Sequence, residues 1–168
     1  MINSIVQTSL SMLKNSLIPY LIIKCYVHHT YSKIIRPITT NGDQIDASFS
    51  PDGDKILYST YSYDVNGGET YLLSVMDSNG ENQRSLNLRQ DLKKTIWNID
   101  SKNILFSSIN SQIGTNNISI YDTTRVQKNA DFLTLSADQK VSLLQMASDG
   151  KIITYQTENG IYASPFEE

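Results

Sequence analysis

Three ten-residue stretches of this 168-residue chain align on one another without a gap: Phe49 to Tyr58 (FSPDGDKILY), Trp97 to Phe106 (WNIDSKNILF) and Met146 to Tyr155 (MASDGKIITY). Each opens on a large apolar residue, passes through a polar turn centred on Asp52, Asp100 or Asp149, and closes on an apolar run ending in an aromatic. The three aspartates stand 48 and 49 residues apart. A second register supports the first: Leu73-Ser74-Val75-Met76-Asp77 matches Ile118-Ser119-Ile120-Tyr121-Asp122, and Ile161-Tyr162 begins a third copy. One multi-stranded unit therefore recurs along the chain.

A period of this length lies in the range of propeller-blade repeats, and the turn chemistry supports short antiparallel strands. Asn-Gly at 41–42, 66–67, 79–80 and 159–160, and Asp-Gly at 52–53 and 149–150, supply the positive φ angles of tight hairpins. Strands placed between these signals run over Ile45–Phe49, Lys55–Thr60, Thr70–Met76 and Gln83–Leu88 for the first unit. The second unit takes Lys94–Ile99, Asn103–Ser108, Asn117–Asp122 and Phe132–Leu135. The third, incomplete, takes Val141–Met146, Lys151–Gln156 and Gly160–Ser164. A blade is covered by a neighbour on each face, so its inner strands must be apolar on both sides, and Ile56-Leu57-Tyr58, Ile104-Leu105-Phe106 and Ile152-Ile153-Thr154-Tyr155 fit that need.

In the turn of the first copy Pro51 presets φ, the Asp52 side chain can accept backbone N–H groups, and Gly53 tolerates a left-handed corner. The second copy has Ile99 for Pro51 and Ser101 for Gly53. Its turn is expected to be looser or of another type.

The best-preserved copy, Phe49-Ser50-Pro51-Asp52-Gly53 through Ile56-Leu57-Tyr58-Ser59 and on to Val75-Met76-Asp77-Ser78-Asn79-Gly80, resembles the WD-like repeat of TolB-type β-propellers. The resemblance covers roughly residues 36 to 164. It implies an all-β fold, a partial β-propeller of about three to four four-stranded antiparallel blades over 36–168, preceded by a poorly defined N-terminal segment over 1–35. Closed propellers typically carry about four to eight blades. The chain is therefore expected to be a fragment or truncated member, or to be completed by a partner or a second copy, with self-association through its open blade ends. Within 1–35, Tyr20 to Val27 reads as a strand of a preceding blade rather than a signal-peptide core, because Lys24 interrupts the apolar run and no small-x-small cleavage site follows. Residues 1–16 read as a short helix or an unanchored end. The apolar stretch is far short of the roughly 18 residues needed for a membrane span.

Composition narrows the function. With 39% apolar and 18% charged residues the chain is no disordered tail. Fourteen basic against 17 acidic residues, net −3, leave no basic stripe for a phosphate backbone, so no nucleic acid is expected. Cys25 stands alone and reads as a small hydrophobe. No nucleophile elbow, phosphate loop, dinucleotide fingerprint or zinc motif occurs, so the expectation is a non-enzyme with no catalytic residue, no metal site and no cofactor. His28 and His29 are adjacent and, on a strand, would point to opposite faces. The oxygen-rich stretches Asp64 to Glu69 and Asp77 to Glu81 read as hairpin turns rather than calcium loops. Asn117-Ile118-Ser119 fits a glycosylation acceptor but falls in a strand.

Recognition is expected from loop aromatics. Tyr61 and Tyr63 open a loop running to Glu69, and with Asp64 they form the candidate partner-binding set, the alternative being that both tyrosines pack against the neighbouring blade; Ser107 to Asn116 is the corresponding loop of the next unit. By resemblance, TolB-like proteins are periplasmic scaffolds of the Tol-Pal envelope system, contacting a peptidoglycan-associated lipoprotein and inner-membrane Tol components. The resemblance thus implies protein partners and a periplasmic location, without a clean signal peptide and with a cytoplasmic location as the alternative. Similar repeats form the substrate-gating propeller of prolyl-oligopeptidase-type serine peptidases, which is the alternative function, here without its hydrolase domain. A nonfunctional truncated remnant is the third reading.

Overall fold

The computed structural model describes residues 4–12, 21–29, 35–39, 44–63, 67, 69–90, 95–110, 115–125 and 130–166. Among these, every regular element is a β-strand. The chain divides into two compact units, Met1–Arg89 and Gln90–Glu168.

The first unit begins with an antiparallel sheet of β1 (Ser4–Met12), β2 (Leu21–His29) and β3 (Ile35–Pro37), in that order. The strand reading of Tyr20 to Val27 thus corresponds to β2, and His28 and His29 are its last two residues. The reading of residues 1–16 as helix or loose end is corrected by β1. Val6, Thr8, Leu10 and Met12 alternate with Gln7, Ser9 and Ser11, a period of two that suits a strand. A four-stranded sheet follows, of β4 (Gln44–Phe49), β5 (Lys55–Tyr63), β6 (Glu69–Asp77) and β7 (Arg84–Gln90) in sequence order.

The second unit repeats the pattern. Its four-stranded sheet has β8 (Thr95–Trp97), β9 (Asn103–Asn110), β10 (Thr115–Asp122) and β11 (Ala130–Leu135), again as neighbours in chain order. A three-stranded sheet of β12 (Leu143–Met146), β13 (Ile152–Thr157) and β14 (Gly160–Pro165) completes it. These sheets are the blades of a partial propeller, and each expected strand from Ile45 to Ser164 has its counterpart.

The repeat is realised residue for residue. Phe49 pairs with Ile56, Trp97 with Ile104 and Met146 with Ile153, so the three copies share one register. Each turn closes with the same two backbone bonds: Gly53, Ser101 and Gly150 donate to Ser50, Asn98 and Ala147, while Ser50, Asn98 and Ala147 donate to Lys55, Asn103 and Ile152. A third bond ties the residue after the third strand to the turn, from the N–H of Ser78, Thr123 and Phe166 to the carbonyls of Asp54, Lys102 and Lys151. The expectation of a different turn at Ser101 is therefore corrected: Gly53, Ser101 and Gly150 all sit at positive φ, +81°, +58° and +72°. Left-handed backbone costs a serine about 1–2 kcal/mol. What offsets it is visible beside it. Asp100 accepts the N–H groups of Lys102 and Asn103, each at 2.8 Å, and the side-chain amides of Asn98 and Asn103 at 3.1 and 2.7 Å. Asp52 and Asp149 make the shared part of this cap, accepting from Asp54 N at 3.1 Å and Lys151 N at 3.0 Å.

Apolar runs locate the cores. Ile56, Leu57 and Tyr58 are all buried, as are Ile104, Leu105 and Phe106, so both faces of β5 and β9 are shielded. In the first unit Ile56, Tyr58 and Met76 cluster with Ile38. In the second, Leu105, Ile118 and Leu135 pack with Leu144, Ile153 and Tyr155 across the two sheets. Each such side chain contributes roughly 1.5–3 kcal/mol when fully buried. β13 departs from the expectation. Ile153 and Tyr155 are buried but Ile152 is 44% exposed, so this strand is shielded on one face only.

Candidate functional site

The candidate recognition residues lie at the far end of the β5–β6 hairpin. Strand pairing continues to Tyr63 opposite Glu69, with Tyr61 opposite Tyr71. The expected loop from Tyr61 to Glu69 is thus corrected to a shorter connection, because Tyr61, Ser62 and Tyr63 satisfy their backbone groups in the ladder, and aromatic residues suit strands. Asp64 lies outside the described residues. The expected loop from Ser107 to Asn116 shortens likewise, since β9 continues to Asn110 and β10 resumes at Thr115.

Two residues apart on one strand, Tyr61 and Tyr63 share a face. Their rings meet edge to face, with centroids 5.2 Å apart at 81°. Tyr61 also meets Tyr71 across the ladder at 5.7 Å and 69°. Such contacts are worth about 0.5–1.5 kcal/mol each beyond area burial. They fix Tyr61, half-buried between the other two, while Tyr63 stands 61% exposed. Tyr71 was missed in the sequence because it reaches the group through strand pairing, not through proximity in the chain. The signal was there in the hairpin register.

A second feature lies between the repeated turns of the second unit. A cleft of about 250 Å³ is lined by Asn98, Ile99, Asp100, Asp149, Gly150 and Phe166. Asp100 is already held by four donors, and Gly150 leaves no room for a Cβ, which would sit 2.3 Å from Ile99 Cγ2. Asp100 is thus committed to its own turn, while Asp149 accepts the N–H of Lys151.

Further polar chemistry sits on β10. A register shift between Ile118 and Ser119 brings Asp131 of β11 opposite Ser119, as bulges commonly re-aim side chains. Asp131 accepts from Ser119 Oγ at 2.8 Å and from Asn117 Nδ2 at 2.9 Å. Asn117 is buried, which removes it as a glycosylation acceptor in the folded protein. Asp122, at the end of the same strand, is pushed up by burial, but Thr124 through its hydroxyl and N–H, then Arg125 and Lys102, hold its carboxyl below the ordinary value. Burial, then the neighbouring Tyr162, pushes the Tyr155 phenol up. Among the described residues no three His, Cys, Asp or Glu side chains gather as a metal site, and no helix is long and apolar enough to cross a membrane.

No family model and no curated protein matches the chain. Solved structures do. An oligogalacturonate lyase in complex with manganese superposes with a TM-score of 0.65 at 11% identity, covering 93% of this chain and 46% of its own. The β-propeller domain of the trilobed protease from Pyrococcus furiosus gives 0.60 at 14%, covering 98% and 51%. A protein assigned as TolB from Agrobacterium tumefaciens gives 0.59 at 17%, covering 87% and 54%. This chain thus spans about half the length of these three. The shared property is the fold, a β-propeller.

Proposed function

We propose that the chain is a non-catalytic propeller scaffold that binds a protein partner through the tyrosines of the β5–β6 hairpin. One observation carries this reading. Tyr63 presents 61% of its surface to solvent while resting on Tyr61, which Tyr71 braces from the adjacent strand. A fixed aromatic platform loses little side-chain freedom on binding, which is why tyrosines serve so often as interface anchors. Asp64, next in sequence, completes the proposed partner-binding set. The likeness to the Agrobacterium TolB supports a role resembling the TolB component of the Tol-Pal system, in the periplasm, with an envelope lipoprotein and Tol components as partners.

The test is calorimetric titration with a purified peptidoglycan-associated lipoprotein. Wild type should bind, and the Tyr61→Ala, Tyr63→Ala double variant should lose about 2 kcal/mol or more, some thirtyfold in affinity, while its far-ultraviolet circular dichroism stays β-rich. Equal binding by both would remove the tyrosines from the site. The likeness to a prolyl endopeptidase structure, with a TM-score of 0.63 at 15% identity, supports a second reading, the propeller portion of a prolyl-oligopeptidase-type peptidase lacking its hydrolase domain. On that reading, a hydrolase domain supplied in trans should bind this chain, and the lipoprotein should not.

A further inference from the structure

We propose that the tyrosine platform of the β5–β6 hairpin takes the guanidinium group of an arginine, presented by an extended segment of a protein partner. The inference rests on the reading of this hairpin as the binding site and adds the chemistry of what it binds. In an edge-to-face pair one ring offers its edge and keeps both faces, while the other gives up one face and keeps the second. Tyr63 meets Tyr61 at 5.2 Å and 81°. Whichever part it plays, at least one of its faces is left uncovered by Tyr61, and 61% of the residue is in solvent. An aromatic face is the negative side of the ring quadrupole and attracts cations, arginine more often than lysine.

The local charge points the same way. From Ile56 to Gln83 the sequence holds four acidic residues, Asp64, Glu69, Asp77 and Glu81, and no Lys, Arg or His. Asp64 follows Tyr63 in the chain, and Glu69 is the partner of Tyr63 in the ladder. Adjacent or directly paired positions stand roughly 4–5.5 Å apart at Cα, inside the ~8 Å over which physiological salt screens a charge. A cation seated on the Tyr63 ring is thus attracted both by the ring and by two formal negative charges, and an acidic segment is repelled. An apolar side chain would gain the ring contact alone. Arginine fits better than lysine because its planar guanidinium lies flat on a ring while its N–H groups point outward in the plane, where carboxylates accept them in pairs. Tyr61, braced by Tyr71, holds the Tyr63 ring before a partner arrives, which lowers the ordering cost of binding.

A fluorescent peptide, GSRSRSG, tests this by anisotropy against the whole chain. It should bind saturably, and its citrulline counterpart, alike in shape but uncharged, should bind at least about tenfold more weakly. Tyr63→Leu should weaken the arginine peptide by a similar factor, and Tyr63→Phe, which keeps a ring face, by less than about threefold. Both variants should melt close to wild type, since Tyr63 is largely in solvent. Glu69→Gln should weaken the peptide about threefold at low salt and less at high salt. Absence of saturable binding, or full binding by Tyr63→Leu, overturns the proposal. So does equal binding of the arginine and citrulline peptides, which would assign the ring to a neutral side chain. The lipoprotein titration keeps the two readings apart. If the Tyr61→Ala, Tyr63→Ala variant loses the lipoprotein while neither peptide binds wild type, the hairpin is a binding site but not an arginine site. If the arginine peptide binds and the lipoprotein does not, the arginine site stands and the lipoprotein is not its partner.

Discussion

The β8–β11 sheet and the β12–β14 sheet share a ladder and a turn but not an environment. Trp97 and Met146 hold the same position, yet Trp97 is buried and Met146 half-buried. Ile118 and Ile161 also correspond, at 0% and 78% exposure. Asp100 caps its turn with four hydrogen bonds where Asp149 accepts the Lys151 N–H. Register follows from turn residues and backbone pairing. What a side chain experiences depends on what covers it, so identical register permits opposite roles.

The largest effect should come from the shared apolar position. Trp97→Ala should cost roughly 3–5 kcal/mol and Met146→Ala about 1–2 kcal/mol, read as shifts of the urea midpoint; equal losses would break the contrast. Next comes the left-handed corner. Gly150→Ala combines φ of +72° with a Cβ 2.3 Å from Ile99 Cγ2, while Gly53→Ala at +81° meets nothing within 4 Å. The first should lose roughly 2–4 kcal/mol and the second about 1–2 kcal/mol. Removing the caps should discriminate less: Asp100→Ala about 1–2 kcal/mol, Asp149→Ala about 0.5–1 kcal/mol. Ser101→Gly should instead stabilise by about 0.5 kcal/mol, since relief of strain exceeds the added freedom of the unfolded chain.

The smallest effect is one of pH. Because the folded protein holds the Asp122 carboxyl below its ordinary value of 3.8, its stabilisation is fully present above that value and is lost as pH falls through the folded-state value. Urea midpoints of wild type and Asp122→Asn should therefore converge below about pH 4. Parallel curves down to pH 2 would show that Asp122 has no part in the acid limb.

Much of the fold was legible because Asp and Gly at fixed offsets dictate hairpin geometry before any packing is known. The blocks at 49–58, 97–106 and 146–155 announced both strands and register. Ser101 misled because its strain is offset by Asn98, Asp100 and Asn103, whose amides and carboxylate act together only once the turn has formed. Hairpin lengths misled for a related reason. Ser108 and Asn116 look like loop residues, but Ser108 bonds Ser119 across the ladder and Asn116 donates to the carbonyls of Ser136 and Ala137, so polar side chains on these strands find partners. Of the candidate site, Tyr61 and Tyr63 were legible as neighbours in sequence. Tyr71 required strand pairing, which no short stretch encodes.

Trp97 is the chain's only tryptophan and it is buried in the second unit. Its emission is therefore a local reporter, following the loss of residues 90–168, whereas circular dichroism sums the strands of both units. One protein thus carries a built-in comparison of probes. Superimposable transitions would mean that the units melt as a single cooperative body, and separated ones that each blade pair lives and dies by itself.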